Sequence, residues 1–332
     1  MTAHAGGESR RHEVEPASPD SGPARHAVAD SQASITPIIL VGMNRSGTKW
    51  LSNIICSHDA VIGIQSPRFG GILESEMLGP MRDKFDPAFP DDYVALVELW
   101  SRTEFFRLAR FDKRTFYELD PRPRTVLELF GLAMDELARR NGCQFWLQKT
   151  SPENAPAVLE HFTNAKVVIT RRDLLDNVRS TMALQKRYRS PRPLHATYRY
   201  VYQDKILARI CRRRQVVQMR YEDLKAEPER EKARLFAELG LSRPSNPAPA
   251  AFPRNTSFAS DDQRQQILPP RQRWLVRAFA TCVRLIPLPL FSAAIGLRKW
   301  WLGYRPRPFF PDSFGELGDQ LVDRSKGRGG ER

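Results

Sequence analysis

The residues best suited to chemistry form a short run of small and basic side chains, from Gly42 to Trp50. The run follows a strand-like apolar segment and precedes a helix-like one, so its backbone N–H groups would lie at a helix N-terminus. These N–H groups and the helix dipole favour an anion. Gly47 lets the backbone approach a ligand closely, and Arg45 and Lys49 place positive charge at both ends of the run. We therefore predict a binding site for a phosphate or sulfate group.

The details of this loop distinguish it from the phosphate loop of nucleoside triphosphatases. Ser46 and Thr48 supply hydroxyl donors, but the lysine that should follow the second glycine directly comes one position late, at Lys49. The position that would carry the Mg²⁺-binding hydroxyl is Trp50. A Mg²⁺-dependent nucleotide kinase or phosphotransferase is therefore the alternative interpretation of this loop.

A second basic motif follows another strand-like run, Lys166–Ile169. Arg172 begins this motif, and Ser180 stands eight residues later, about two turns along the helix that the pattern predicts. A planar guanidinium binds a phosphate through two hydrogen bonds, and a serine at this spacing can reach the same group. The motif predicts a second phosphate site.

A third motif, Arg-Tyr-Glu-Asp-Leu at residues 220–224, follows a strand-like run that begins at Gln215. The ring and hydroxyl of Tyr221 are suited to contacting a nucleoside. Glu222 and Asp223 are predicted to cap the helix that follows.

In this order the three motifs resemble those of sulfotransferases that use 3′-phosphoadenosine 5′-phosphosulfate (PAPS). Residues 45–50 are similar to the family's 5′-phosphosulfate loop, with Lys49 where a second threonine is usual. Arg172 and Ser180 are similar to its 3′-phosphate motif, with Leu174 where proline is common. The resemblance implies that PAPS is the sulfuryl donor and that no metal is required. The residues it implies in cofactor binding are Arg45, Ser46, Gly47, Thr48, Lys49, Trp50, Arg172, Ser180 and Tyr221.

The resemblance also implies which residues catalyse transfer to an acceptor hydroxyl. Arg45 and Lys49 would stabilise the leaving phosphate, and Lys149 is a second source of positive charge. Lys149 lies in an element similar to the family's Lys-Thr/Asp-Pro, with Ser151 inserted.

The family's base is a glutamate or histidine after the loop helix. The candidates here are Glu74 and Glu76, and His58 is the alternative, although its position also suits shaping the loop after the helix. Two positions apart, Glu74 and Glu76 would point in different directions on a helix, so only one is expected to face the site. The acceptor is left open among a sugar, a lipid-linked glycan, a phenol and other small molecules.

The elements that must position these motifs are strands that alternate with helices, which predicts an α/β fold with a central parallel sheet flanked by helices. Ligands of such sheets bind at the carboxyl ends of the strands. The resemblance implies the sulfotransferase version of this fold, which is similar to that of P-loop nucleoside triphosphatases. Composition predicts a disordered leader at residues 1–34, a single domain at 35–315 and a flexible charged tail at 316–332.

The formal net charge of +14 suits an anionic partner, but the sequence matches no recognised nucleic-acid module, so nucleic acid is not predicted. The four cysteines are dispersed, which predicts neither a metal site nor a disulfide framework. Because the sequence also lacks a signal-peptide pattern at its N-terminus, the expected location is the cytoplasm. No pattern indicates an oligomeric state.

Residues 271–304 interleave aromatic and aliphatic side chains with arginines. The longest uncharged stretch, Leu285 to Leu297, contains Pro287 and Pro289 and is too short to cross a bilayer. Two interpretations stay open for this segment. It forms helices packed on the core, or it is an interfacial segment that contacts a membrane or a partner.

Overall fold

A five-stranded parallel sheet forms the centre of the fold, with the strand order β2-β5-β1-β6-β7. The computed structural model describes residues 34–67, 70–185, 193–242, 267–291 and 293. The central strands are β1 (Thr36–Gly42), β2 (Val61–Ile62), β5 (Phe145–Thr150), β6 (Lys166–Arg171) and β7 (Val217–Arg220), while β3 (Gln65–Ser66) and β4 (Gly71–Ile72) form a small antiparallel pair. The predicted α/β fold is therefore confirmed. The predicted leader, except for Ser34, and the predicted tail lie outside the described residues.

Helices connect the strands and cover the sheet. They are α1 (Thr48–Ile55), α2 (Pro90–Ser101), α3 (Glu104–Ala109), α4 (Lys113–Tyr117), α5 (Val126–Arg140), α6 (Ala155–His161), α7 (Leu174–Gln185), α8 (Pro193–Arg213), α9 (Tyr221–Ala226), α10 (Pro228–Glu238) and α11 (Pro270–Arg284). A short 3-10 turn spans Glu76–Leu78.

Strand β1 lies at the middle of the core because both of its faces are covered. Ile39 and Val41 belong to the apolar cluster on one side of the sheet, and Ile38 and Leu40 belong to the cluster on the other. All four side chains are fully buried. A strand buried on both faces has a continuous apolar sequence rather than an alternating one. The run Ile38–Val41 therefore predicts this buried strand from the sequence alone.

The parallel register brings the three motifs to one edge of the sheet. Gly42 at the end of β1 pairs with Thr170 of β6, and Arg171 pairs with Arg220 of β7. On the other side of β1, Val41 pairs with Thr150 at the end of β5. The loops that leave these strand ends are therefore neighbours although they are far apart in sequence.

The C-terminal helix α11 packs on α8. The Lys205 ammonium donates a hydrogen bond to the carbonyl of Arg284 at 2.6 Å, and the Phe291 ring stacks against the ring of Tyr202 with centroids 5.8 Å apart. None of the helices in the described ranges combines the length and apolarity that a bilayer-spanning segment requires. Residues 292 and 294–304 of the predicted interfacial segment lie outside the described residues.

Candidate active site

The loop between β1 and α1 is a fixed turn that ends at an uncapped helix N-terminus. Arg45 and Gly47 both adopt left-handed backbone conformations, with φ of 68° and 88°. The Ser46 hydroxyl donates to the carbonyl of Met43 at 2.7 Å, and the Thr170 hydroxyl donates to the carbonyl of Ser46 at 2.8 Å. No side chain of the described residues caps α1 at Gly47. The first-turn N–H groups are therefore not satisfied by a cap, as an anion site requires.

Ser46 has a different environment from the one its sequence position suggested. Its side chain is fully buried, and its hydroxyl proton is directed to the Met43 carbonyl inside the loop. In this structure the residue holds the shape of the loop rather than offering its hydroxyl to a ligand. Thr48 is also buried, at the first position of α1.

The two predicted phosphate motifs meet at this loop. The Arg45 guanidinium donates through Nε to the Ser180 hydroxyl at 3.1 Å, although the two residues are 135 positions apart. The Arg172 guanidinium donates through Nη1 to the carbonyl of Arg45 at 3.0 Å. The same guanidinium lies over the ring of Tyr221, with its central carbon 4.3 Å from the ring centroid. The fold therefore gathers all three motifs at one location.

Tyr221 also closes the space above the glycine of the loop. A Cβ atom added to Gly47 would lie 2.5 Å from Cδ2 of the Tyr221 ring, closer than real side chains approach. The edge of the Trp50 ring meets Tyr221 with centroids 6.0 Å apart. The Tyr221 ring therefore leaves no room at position 47 for a residue larger than glycine.

Positive charges crowd this location and affect one another. Burial, and then the charge of Arg172, lower the pKa of Arg45 below its ordinary value. Burial, followed by the charges of Arg45 and Lys149, lowers the pKa of Lys49. We call Arg45, Lys49, Lys149 and Arg172 the cation cluster. An anion that carries several negative charges would relieve the repulsion among them.

Lys149 at the end of β5 connects this cation cluster to one of the two candidate carboxylates. Its ammonium forms an ion pair with the carboxylate of Glu74. The side-chain amide of Gln148 donates to the carbonyl of Leu73 at 3.1 Å, which ties the segment before Glu74 to the sheet. The ion pair and this hydrogen bond therefore keep Glu74 beside Lys149, with the Glu74 side chain 50% exposed.

Glu76 lies in a different environment. Burial raises its pKa, and the nearby carboxylate of Glu104 raises it further, while a hydrogen bond from its own backbone acts in the opposite direction. Its Oε2 atom is buried and makes no hydrogen bond with any of the described residues. The two candidate carboxylates, which the sequence did not distinguish, therefore differ in the structure: Glu74 is paired with a cation, and Glu76 is not hydrogen-bonded through Oε2 within the described ranges.

A family model described as the sulfotransferase family matches residues 37–245 of the 332-residue chain. The chain belongs to the sulfotransferase family. The matched range contains every candidate site residue, from Arg45 to Tyr221.

Several solved structures resemble this chain at low sequence identity. The sulfotransferase domain of the curacin biosynthetic pathway is 14% identical, covering 75% of this chain and 98% of that domain with a TM-score of 0.46. The sulfotransferase domain of the Synechococcus PCC 7002 olefin synthase is 13% identical, with 75% and 94% coverage and a TM-score of 0.48. A sulfotransferase from Mycobacterium avium is 15% identical, with 70% and 75% coverage and a TM-score of 0.38. A search of curated protein sequences found no match.

The buried residue Gln203, which the sequence did not indicate, is hydrogen-bonded to the loop between β1 and α1. Gln203 of α8 is 2% exposed; its side-chain oxygen accepts from the N–H of Asn44 at 3.4 Å, and its amide donates to Glu153 at 2.9 Å. Asn177 donates to the carbonyl of Asn44 at 2.8 Å. Polar residues inside amphipathic helices are usually solvated, so neither position carried a signal in the sequence.

The predicted capping role of Glu222 and Asp223 is wrong. Helix α9 begins after Arg220, and no side chain of the described residues caps it. The Glu222 carboxylate instead accepts a hydrogen bond from the backbone N–H of Asp173 at 3.0 Å, next to the start of α7. The pairing of β6 with β7 brings the two helix starts together, so the carboxylate bridges them.

Proposed function

We propose that this sulfotransferase transfers the sulfuryl group of PAPS to a hydroxyl of a small-molecule or glycan acceptor. The observation that carries the proposal is the meeting of Arg45, Arg172 and Ser180 beside the ring of Tyr221. When bound, PAPS would supply an activated sulfuryl group and leave as adenosine 3′,5′-bisphosphate. That nucleotide carries phosphates at two positions, which calls for two neighbouring anion sites and an aromatic surface.

The chain's own residues fit such a ligand. Arg45, Lys49 and the N-terminus of α1 would hold the 5′-phosphosulfate, while Arg172 and Ser180 would hold the 3′-phosphate. The ring of Tyr221, supported by Trp50, would contact the adenosine. The cradle at Gly47 and the lowered pKa values of Arg45 and Lys49 both agree with a polyanion close to the backbone.

Two catalytic tasks can be assigned by position. Arg45, Lys49 and Lys149 would stabilise the negative charge that develops on the departing phosphate oxygen. The proton of the acceptor hydroxyl would pass to a carboxylate as the new oxygen–sulfur bond forms. We assign that carboxylate to Glu74, since it forms an ion pair with Lys149. We assign no part in the transfer to Glu76, whose buried Oε2 atom makes no hydrogen bond with any of the described residues.

The acceptor class is proposed only as a hydroxyl of a sugar, a lipid-linked glycan, a phenol or a comparable small molecule. We propose no nucleic-acid partner, and we propose the cytoplasm as the location. A Mg²⁺-dependent nucleotide kinase is the competing function, because its phosphate loop is the nearest alternative to residues 42–50.

The proposal is tested by incubating the purified chain with PAPS, a panel of these hydroxyl compounds and a metal chelator. Mass spectrometry should detect adenosine 3′,5′-bisphosphate and a sulfated product together. A parallel incubation contains ATP and Mg²⁺ in place of PAPS and the chelator. Phosphorylation in that incubation, with no sulfation of any compound in the first, would contradict the proposal.

Gly47→Ala is expected to weaken binding of adenosine 3′,5′-bisphosphate by about tenfold or more, because a left-handed alanine costs about 1–2 kcal/mol and its Cβ clashes with Tyr221. Gly142→Ala is the matched control, since Gly142 has a φ of +66° but open space around it. Calorimetric titration measures both. Equal binding by the two variants would contradict the proposed approach of the ligand to the loop backbone.

A further inference from the structure

The outward side of α11 and the turn after it expose an unusual amount of apolar surface. Among the described residues eight large hydrophobic side chains are exposed, and five of them lie between residues 274 and 290. The five are Trp274, Leu275, Leu285, Ile286 and Leu290. Trp274 is 72% exposed and Leu285 is 81% exposed. We call these five residues the α11 surface.

Packing on the core accounts only for the opposite side of α11. Val276, Ala280 and Val283 are buried there, at helical spacing. The hydrogen bond from Lys205 to the carbonyl of Arg284 and the burial of Phe291 fix the helix in this orientation. With its inner side already packed, the helix cannot bury the α11 surface in the same core.

The spacing of the outward residues is also helical. Trp274, Ala278 and Leu285 are separated by four and seven positions, which places them on one side of the helix. The helix is therefore apolar on two sides. Exposed apolar patches of this kind mark sites that contact a membrane or another protein.

Charge indicates which of these the α11 surface contacts. Arg271, Arg277 and Arg284 are exposed on the same helix. The sequence from residue 263 to residue 311 contains no aspartate or glutamate. An apolar strip with tryptophan, on a segment whose charged residues are all basic, is complementary to the boundary between anionic headgroups and acyl chains. A second copy of the chain would bring like charges together, which opposes self-association.

We propose that the α11 surface docks this protein onto an anionic lipid bilayer. The helix would lie in the plane of the interface, with Trp274, Leu285 and Leu290 inserted among the lipids and the arginines at the level of the headgroups. This proposal does not rest on the proposed function, because none of these residues belongs to the cofactor site.

The test is co-flotation of the full chain with phosphatidylcholine vesicles, with and without phosphatidylserine. Binding is expected only with phosphatidylserine and should weaken as salt is added. Trp274→Ser combined with Leu285→Ser is expected to weaken partitioning by about tenfold or more, because two large side chains no longer insert. Arg271→Ser combined with Arg277→Ser should cost about fivefold for each arginine.

Phe89→Ser combined with Val94→Ser is the matched control, since these two exposed hydrophobic residues lie elsewhere on the surface, at α2. This variant should float like the parent, and thermal unfolding followed by circular dichroism should show that all variants are folded. Equal binding to neutral vesicles, or an apolar variant that floats as the parent does, overturns the proposal. Absence of flotation also overturns it. If the parent does not float and sedimentation shows that it is a dimer which the apolar variant converts to a monomer, the α11 surface is a contact between two copies of the chain.

Discussion

Arg172→Ala is expected to weaken binding of adenosine 3′,5′-bisphosphate by about a hundredfold or more. Arg172 would donate charge-assisted hydrogen bonds to the 3′-phosphate, each contributing about 1.5–3 kcal/mol. The variant also loses the hydrogen bond to the Arg45 carbonyl and the packing on Tyr221, which shape the neighbouring anion site. Calorimetric titration of the variant beside the parent protein measures the loss.

The adjacent arginine provides a stringent control. Arg171 extends toward α8, where it pairs with Asp204 at 3.5 Å, and has no assigned contact with the nucleotide. Arg171→Ala removes the same side chain one position away and should bind the bisphosphate within about twofold of the parent, because this partly buried side chain contacts α8 and not the predicted nucleotide site. Arg172→Lys should be intermediate, since it keeps the charge but loses the fork geometry. Equal losses in the two alanine variants would indicate a general charge effect and contradict a specific 3′-phosphate site.

Glu74→Gln is expected to lower the turnover rate by about 10²–10⁴-fold, the usual contribution of a positioned general base. Binding of adenosine 3′,5′-bisphosphate should stay the same or become tighter, because the charge of Lys149 is no longer neutralised by its partner. Turnover is measured as bisphosphate release with any hydroxyl compound that supports sulfation. This separation of rate from binding distinguishes a base from a residue that only shapes the site.

Glu76→Gln is the matched variant, two positions along the same segment. The change replaces a half-buried carboxylate that has no assigned role with a neutral group of similar shape, so turnover should be largely retained. If Glu76→Gln abolished turnover and Glu74→Gln did not, the assignment of the base would be reversed. Retention of turnover in both variants would mean that neither carboxylate accepts the proton.

The parts of this structure that the sequence predicted are those encoded by local pattern. The buried run Ile38–Val41 and the motifs after three strands carry their own signal, because a strand buried on both faces reads as continuous apolar residues. The parallel sheet then requires that these loops share an edge. The order and spacing of Arg45, Arg172 and Tyr221 were therefore enough to predict that they lie together.

The parts that escaped prediction depend on contacts between distant segments. Gln203 contacts the loop from α8, and Glu222 accepts a hydrogen bond from Asp173, just before α7, but nothing in their neighbours along the chain indicates either contact. The environments of Glu74 and Glu76 differ because Glu76 is more deeply buried and because Lys149 pairs with Glu74 from a distant strand. Such long-range contacts are set by topology and packing, on which local periodicity carries no information.

Of the two interpretations of the C-terminal segment, core packing is observed for part of α11, and contact with a membrane or partner stays a proposal. Core packing holds for Val276, Ala280 and Val283, whereas the exposure of Trp274 and Leu285 leaves the outer side unexplained by that packing. A helix that is apolar on two sides has no single hydrophobic face, so its periodicity could not indicate which side is buried.

The most direct test of the account is a calorimetric titration of the parent protein with adenosine 3′,5′-bisphosphate in the absence of Mg²⁺, beside ATP in its presence. The cation cluster, which includes Arg45, Lys49 and Arg172, predicts micromolar binding of the bisphosphate without metal, and weaker binding of ATP even when Mg²⁺ is supplied. Failure to bind the bisphosphate, or a preference for ATP with Mg²⁺, would contradict PAPS as the donor and favour a nucleotide phosphotransferase.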